Sequence, residues 1–185
     1  MKLCLLTYNL GKDFDLDELI RVCETHHYDG IEFRAGVGPH GVELSASRED
    51  RETIRKKMED SALEIAGIGT SCRFEALDDA ERQAQIDEAK AFIDLSVDIG
   101  CPRIRVFGNN FPEGADKDVV VENVGAALRE IAEHAEPTGV DVNLELHGDF
   151  SWWEYTLDAV EIADHQRVGI VYNCNVSEMK YGSIG

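Results

Sequence analysis

The sequence predicts an α/β fold in which parallel strands alternate with helices. Three observations lead to this prediction. The hydrophobic period switches regularly between two residues, typical of strands, and 3.6 residues, typical of helices. Strand starts recur about every 33 residues along the 185-residue chain, which is the spacing of βα units. Helix start signals fall between the strand segments, so each strand is followed by a helix.

The six predicted strands are short apolar or alternating runs, the longest of six residues. They are Leu3–Thr7, Gly30–Arg34, Glu64–Gly69, Arg103–Phe107, Val140–Glu145 and Val168–Asn173. Strands joined by helical crossovers form a parallel sheet with right-handed connections.

The predicted helices have recognisable starts, ends and buried stripes. Each start pairs a capping side chain with a carboxylate three residues later: Asp15 with Glu18, Ser47 with Asp50, Asp78 with Glu81, and Ser151 with Glu154. Gly100 and Gly139 stand where two helices should end. One apolar stripe contains Ile86, Ala89, Ile93 and Val97, and another contains Val120, Val124, Leu128, Ile131 and Ala135.

Two architectures fit this pattern, an open doubly wound sheet and a (β/α) barrel. The open sheet favours a nucleotide-binding loop after its first strand, and that strand has none. Gly36, Gly38 and Gly41 do match G-x-G-x-x-G after the second strand, but the next helix begins only near Ser47. We interpret this segment as an ordinary loop, with His40 exposed. A barrel needs eight units and typically about 250 residues.

Composition excludes several classes of function. The chain has 37 acidic and 18 basic residues, a formal net charge of -19, which argues against binding nucleic acid. No apolar run is long enough to span a membrane. Five scattered cysteines without a C-x-x-C pair are typical of free thiols in a reducing cytoplasm. The acidic excess is spread over all the predicted helices, so we attribute it to a halophilic source.

The most informative segment is Glu145-Leu146-His147-Gly148-Asp149-Phe150, which follows the fifth predicted strand. Glu145 and His147 are two residues apart, so their side chains point the same way where that strand ends. The carboxyl ends of strands are where α/β folds place their chemistry. Glu145 is therefore a candidate base or ligand, with capping of the next helix as the alternative.

Six strand-end segments occur in an order that resembles one family. They are DGIEFR (29–34), HGVE (40–43), TSCRF (70–74), RVFG (105–108), ELHGDF (145–150) and VGIVYN (168–173). The set resembles the xylose isomerase-like TIM barrels, which include sugar phosphate isomerases and epimerases and are related to endonuclease IV. The resemblance covers essentially the whole chain. It implies a single TIM-barrel domain over residues 1–185 with six of the eight βα units visible.

The resemblance also implies a site for one divalent metal ion, Mn, Mg, Co or Zn. In this family the ligands are a Glu, an Asp, a His and a Glu that follow strands five to eight. Glu145 matches the first position, and Asn173 stands at the second, where most relatives have Asp. An amide oxygen can bind a hard cation but brings no charge. The other two ligands have no counterpart before the chain ends, so we expect weak or absent metal binding.

Further strand-end residues are candidates for substrate binding. His147 is placed to hydrogen-bond a sugar hydroxyl. Glu32 and Arg34 share one face of the second strand, where they form an ion pair or meet an anionic group. Arg73 and Arg105 follow neighbouring strands, so their guanidinium groups are expected to converge on an anionic or polyhydroxylated ligand.

Trp152 follows Glu145 closely in the chain and offers an apolar wall for a sugar ring. The alternative for Trp152 is packing against the helix that follows.

Three functions are compatible with the resemblance. The first is a metal-dependent sugar (phosphate) isomerase or epimerase in which Glu145 moves a proton α to a carbonyl through an enediolate. The second is a truncated, catalytically inactive relative that binds a sugar or polyol, and that forms a homo-oligomer to cover open sheet edges. The third, an endonuclease, lacks a visible basic groove or histidine-rich metal cluster.

The halophilic interpretation gives a first prediction. Salt screens the mutual repulsion of acidic groups, so the free energy of unfolding should rise when NaCl is raised from low to molar concentration. Urea denaturation at fixed pH measures this change. A stability that falls or stays flat would show the interpretation to be wrong.

Overall fold

The computed structural model describes residues 1–173, and its six parallel strands form one sheet in chain order. The strands are β1 (Cys4–Leu6), β2 (Gly30–Arg34), β3 (Glu64–Arg73), β4 (Arg103–Phe107), β5 (Asp141–Glu145) and β6 (Val168–Val171). The helices between them are α1 (Leu16–Thr25), α2 (Arg48–Asp60), α3 (Asp79–Ile99), α4 (Lys117–Ala135) and α5 (Trp153–Ala163). The predicted fold class is confirmed as a partial TIM barrel.

Two strand ends differ from the sequence prediction. β3 continues to Arg73, four residues beyond its predicted end, so Arg73 is a strand residue. β6 ends at Val171, so Asn173 follows the strand as part of the next segment. Short 3-10 helices at Glu136–Thr138 and Gly148–Ser151 flank β5.

Three of the four predicted helix starts are confirmed. The side chains of Asp15, Ser47 and Asp78 each accept a hydrogen bond from the backbone N–H three residues later. The start at Ser151 is wrong. Ser151 is buried at the end of a 3-10 helix, and α5 begins at Trp153 without a side-chain cap. Gly100 and Gly139 do adopt the left-handed conformation expected after a helix, with φ of 77° and 79°.

The described chain forms two compact units, and the first contains Met1–Thr70 and Ala91–Ile104. Its core takes fully buried side chains from several elements, including Leu19 of α1 and Phe33 of β2. Arg51 of α2 holds the preceding loop in place, because its guanidinium donates to the carbonyls of Ala46 and Leu44. The prediction of a single domain over 1–185 stays a prediction.

His40 lies in the first unit and is only 3% exposed, so the expectation of an exposed side chain is wrong. The Val42 N–H donates to its Nδ1, which leaves Nε2 to carry the ring hydrogen, 3.4 Å from the Thr7 hydroxyl. The Phe33 ring packs against the imidazole at 5.3 Å between centroids. The sequence does not predict this burial, because buried faces are recognised from the hydrophobic periodicity of helices and strands. A glycine-rich loop has no such periodicity.

The second unit contains Ser71–Lys90 and the chain from Arg105 onward. The predicted stripe of α4 is confirmed, since all five of its residues are fully buried. In β5 the alternating residues Val142 and Leu144 are fully buried, as is Phe150 just after it. Among the described residues, no helix is long and apolar enough to cross a membrane.

The burial of His40 gives a prediction for the pH dependence of stability. Burial lowers the pKa of His40 below its ordinary value of 6.5, against smaller opposing effects of the backbone at Arg34 and Val37 and of Glu43. The unfolded chain therefore takes up a proton at this histidine at higher pH than the folded chain does. The stability that neutral His40 contributes is complete above about pH 6.5 and is lost as the pH falls below it.

We expect His40→Asn to be less stable at pH 7.5, by about 1–3 kcal/mol, because a buried hydrogen-bonding ring is lost. The variant should also lose less stability than the wild type between pH 7.5 and 5.5, as measured by urea denaturation. The exposed His26→Gln is the matched control and should follow the wild type. Equal pH slopes for His40→Asn and the wild type would contradict the prediction.

Candidate active site

The candidate site lies in the second unit, where β4 and β5 end. Residues two apart in a strand share a face, so Arg105 and Phe107 of β4 point one way. Glu145 and His147 are related in the same manner at the end of β5. The side chains of these two pairs meet: Arg105 contacts Glu145, and Phe107 contacts His147. The structure therefore brings Glu145 and His147 into contact with two residues of β4.

Both oxygens of the Glu145 carboxylate have partners. Its Oε2 forms an ion pair with Nε of Arg105 at 2.7 Å, and its Oε1 accepts a hydrogen bond from Nδ2 of Asn173, also at 2.7 Å. The side chains of Arg105 and Glu145 are only 9% and 14% exposed. A buried carboxylate needs this compensation, because removing a charge from water is costly unless it is paired and hydrogen-bonded.

Phe107 links the ion pair to His147. The guanidinium carbon of Arg105 lies 4.2 Å from the centroid of the Phe107 ring, a favourable position for a cation. The His147 ring contacts Phe107 with centroids 4.8 Å apart and a tilt of 45°. The imidazole is thus in contact with an aromatic ring that also contacts the arginine.

The loops that follow β4 and β5 are hydrogen-bonded to each other. The backbone N–H of Asp149 donates to the carbonyl of Asn109 at 3.0 Å, and the Asp149 carboxylate accepts from the N–H of Phe111 at 2.9 Å. Gly148 has φ of 63°, and a Cβ there would lie 2.8 Å from the Asn109 carbonyl oxygen. Only glycine allows this close approach, which fixes the backbone immediately after His147.

A second cluster of polar side chains forms after β3. Oε1 of Glu75 accepts a hydrogen bond from the Asn109 amide at 3.0 Å and lies 3.3 Å from Nε of Arg73. Arg73 is 56% exposed, whereas Glu75 is 14% exposed. Arg73 and Arg105, which were expected to converge on one ligand, each have a carboxylate partner within the chain.

The other predicted substrate residues have different surroundings. Glu32 and Arg34 belong to β2 in the first unit. The Arg34 guanidinium donates to the carbonyls of Ala35 and Gly69 and lies over the Tyr8 ring at 5.9 Å. Trp152 stands at the N-cap position of α5, and its residue is 37% exposed.

The sequence pattern does not point to Phe107, Glu75 or Asn109 as site residues. Phe107 was interpreted as a strand residue only, because a phenylalanine at a strand end carries no chemical signal by itself. The spacing of Arg73 and Glu75 did contain a signal, since residues two apart at a strand end share a face. The hydrogen bond of Glu75 with Asn109 joins the segments that follow two different strands. The residue periodicity within one strand does not predict such contacts.

Residues 20–179 match the sequence profile of the family described as xylose isomerase-like TIM barrel. The chain belongs to this family. The match covers most of the chain and includes every element from α2 to β6, so it contains the Glu145 cluster. No curated protein matches the sequence.

Solved structures with the same fold include several sugar epimerases. An IolI protein with a bound zinc atom has 19% sequence identity and a TM-score of 0.76, with 92% of this chain and 62% of that one covered. D-psicose 3-epimerase from Clostridium cellulolyticum H10 has 16% identity and a TM-score of 0.80, with coverages of 100% and 67%. The 3-keto-D-glucoside 4-epimerase YcjR from E. coli has 13% identity and a TM-score of 0.76, with coverages of 100% and 72%.

The chain therefore spans about three-fifths of the length of the IolI structure that it resembles. At these identities the likeness concerns the fold. The described residues contain six parallel strands of this fold, including both strands of the ion pair.

The described residues do not by themselves fit a divalent metal ion. Of the ligand positions that the family implies, Glu145 and Asn173 are described, and they supply one charge between them. Both Glu145 oxygens already have partners, and Asn173 turns its amide N–H toward the carboxylate. Within residues 1–173 no group of three or more His, Cys, Asp or Glu is arranged to hold a metal. The expected metal stays a prediction.

The burial of the ion pair predicts strong energetic coupling. We expect Arg105→Met to lower the free energy of unfolding by about 3–5 kcal/mol, because it leaves a buried carboxylate without its cation. Arg105→Met combined with Glu145→Gln should cost less than the sum of the two single changes, by about 0.5–3 kcal/mol. Urea denaturation of the four proteins measures this cycle.

The control cycle uses the exposed pair Arg48 and Glu52 of α2, whose side chains are 91% and 65% exposed. There we expect a coupling of about 0.3–0.5 kcal/mol, since both charges are in water. If the coupling free energy between Arg105 and Glu145 is no larger than that between Arg48 and Glu52, the buried ion pair does not stabilise the fold as predicted.

Proposed function

We propose that the protein is a sugar isomerase or epimerase in which Glu145 transfers a proton next to a carbonyl group. The observation that carries the proposal is the Glu145 carboxylate itself, buried at the end of β5 and oriented by Arg105 and Asn173. The sugar epimerases among the structures of similar fold support a sugar or polyol as the substrate class. A residue held from two sides loses little conformational freedom when it reacts.

The proposed step is a 1,2-proton shift. A Glu145 oxygen takes the proton from the carbon α to the carbonyl, and the C–H electron pair becomes the double bond of an enediolate. The carbonyl electron pair moves to oxygen, and the resulting charge is stabilised by a nearby donor. Glu145 exchanges its proton with solvent in some turnovers and returns a proton to the former carbonyl carbon, while a second proton moves from the former hydroxyl oxygen to the former carbonyl oxygen. Together these transfers convert a ketose into an aldose, with Glu145 acting at both carbons and His147 assigned to the proton that moves between the oxygens.

Two neighbours of Glu145 suit this chemistry. Arg105 brings a permanent positive charge to the position where the base acts, and charge placed in advance costs no reorganisation during the reaction. The His147 imidazole, positioned by Phe107, is the donor that we assign to a substrate hydroxyl or to the developing oxyanion. Every step of this scheme uses side chains of the second unit.

Epimerisation makes a further demand on the site. Inversion at one carbon requires a proton to return on the opposite face, which needs an acid other than Glu145. Isomerisation has no such requirement. Glu145 acting as a single base on one face of the substrate therefore corresponds to aldose–ketose isomerisation within the proposed class.

A second candidate function is a sugar-binding module without catalysis. The observation in its favour is that Arg105 and Asn173 already satisfy Glu145, a stable arrangement in the absence of any reaction. Such a protein would bind a polyol and leave its C–H bonds intact. The homo-oligomer and the cytoplasmic location expected from the sequence stay predictions.

Solvent exchange distinguishes the two functions. In D2O the proposed enzyme should introduce deuterium next to the carbonyl of at least one member of a panel of ketoses and aldoses, with and without added Mn²⁺. Proton NMR detects the loss of that C–H signal. Glu145→Gln should lower the exchange rate by about 10²–10⁴-fold, since it removes the base and keeps the side-chain shape.

The matched control is Glu133→Gln on α4, an exposed glutamate that should leave exchange unchanged. If the wild type binds a sugar of the panel but exchanges no proton, the binding module is supported instead. If Glu145→Gln exchanges as fast as the wild type, Glu145 is not the base.

A further inference from the structure

The Glu145 site already contains a cation, the Arg105 guanidinium. Its Nε lies 2.7 Å from Oε2 of Glu145, and the contact is almost completely buried. The face of the Phe107 ring lies against the guanidinium carbon at 4.2 Å. The guanidinium is thus fixed between a carboxylate and an aromatic ring, both of which favour a positive charge.

Asn173 contributes to the same arrangement. An ionised carboxylate only accepts hydrogen bonds, so the Asn173 amide must present its N–H group to Oε1 of Glu145. Its carbonyl oxygen, the atom that could bind a cation, takes no part in this contact. The residue that replaces the family's Asp therefore satisfies Glu145 and adds no negative charge.

A divalent ion bound to Glu145 would meet two obstacles. It would be a second cation within a few ångströms of the Arg105 guanidinium, in a site where little water is present to screen the repulsion. It would also have to displace or share a carboxylate whose charge is already compensated. Within residues 1–173, the single charge of Glu145 would have to balance the two charges of the metal ion and the one charge of Arg105.

We propose that Arg105 is the resident cation of this site and that Glu145 functions without a divalent metal ion. Arg105 is a positioning residue in this proposal, because it acts through Glu145. The inference concerns which cation Glu145 holds, whatever reaction the site performs, so it does not rest on the proposed function. It predicts that metal affinity at Glu145 is set by Arg105.

Mn²⁺ titration followed by electron paramagnetic resonance tests the proposal, because free and bound Mn²⁺ give different signals. A chain with 37 acidic residues binds some Mn²⁺ nonspecifically, so each titration is compared with the matching Glu145→Gln protein. The wild type and Glu145→Gln should give the same curve within about twofold. Arg105→Met should gain a Mn²⁺ site at least tenfold tighter than the nonspecific binding measured in Glu145→Gln. The double variant that carries both Arg105→Met and Glu145→Gln should lack this tight site.

Two further variants are controls. Arg105→Lys keeps the positive charge and should bind Mn²⁺ as the wild type does. Arg73→Met removes an arginine from another ion pair in the same unit, that with Glu75, and should gain no tight site. A gain in Arg73→Met equal to that in Arg105→Met would mean that any lost cation raises Mn²⁺ binding, and it would overturn the proposal.

Two other results would also overturn it. One is a tight site in the wild type that Glu145→Gln removes. The other is an Arg105→Met protein that is folded by circular dichroism and gains no affinity. If Arg105→Met does not fold, the Mn²⁺ titrations of the wild type and of the isosteric Glu145→Gln protein test the proposal, because both proteins keep Arg105. Equal Mn²⁺ affinities support the proposal, and tighter binding by the wild type overturns it.

Discussion

The buried ion pair between Arg105 and Glu145 is the interaction on which the candidate site depends. Each charge alone would be costly so far from water, and together they join the β4 and β5 strands through their side chains. Asn173 adds a hydrogen bond from the segment after β6. Consecutive strands thus contribute one polar group each to a single cluster, which explains why a parallel sheet is needed to assemble it.

The residues that pack around this ion pair hold one another in position. Phe107 contacts both the Arg105 guanidinium and the His147 ring, so the imidazole is positioned by the residue that also stabilises the cation. The backbone immediately after His147 is then fixed by the contact of Gly148 with Asn109. A change at the ion pair would therefore reach His147 through the packing of Phe107.

The sequence was sufficient to predict the strands and the approach of Glu145 and Asn173, because carboxyl ends of neighbouring parallel strands meet at one edge. It was not sufficient to pair Arg105 with Glu145, since arginine is long enough to reach several partners and only the packed structure selects one. The burial of His40 and the failed cap at Ser151 have a similar cause. Both residues follow local rules for exposed positions, and tertiary packing overrides those rules.

A guanidinium and a divalent metal ion differ as electrostatic partners for a carboxylate. The metal carries more charge and exchanges its ligands, so it can bind a substrate oxygen directly. The Arg105 guanidinium carries one charge, keeps fixed geometry and is present whenever the chain is folded. A site built on it acts on the substrate through Glu145, so it favours substrates whose α-proton is already activated by their own carbonyl group. Ketoses and aldoses have this property, which makes the resident arginine and the proposed 1,2-proton shift chemically consistent.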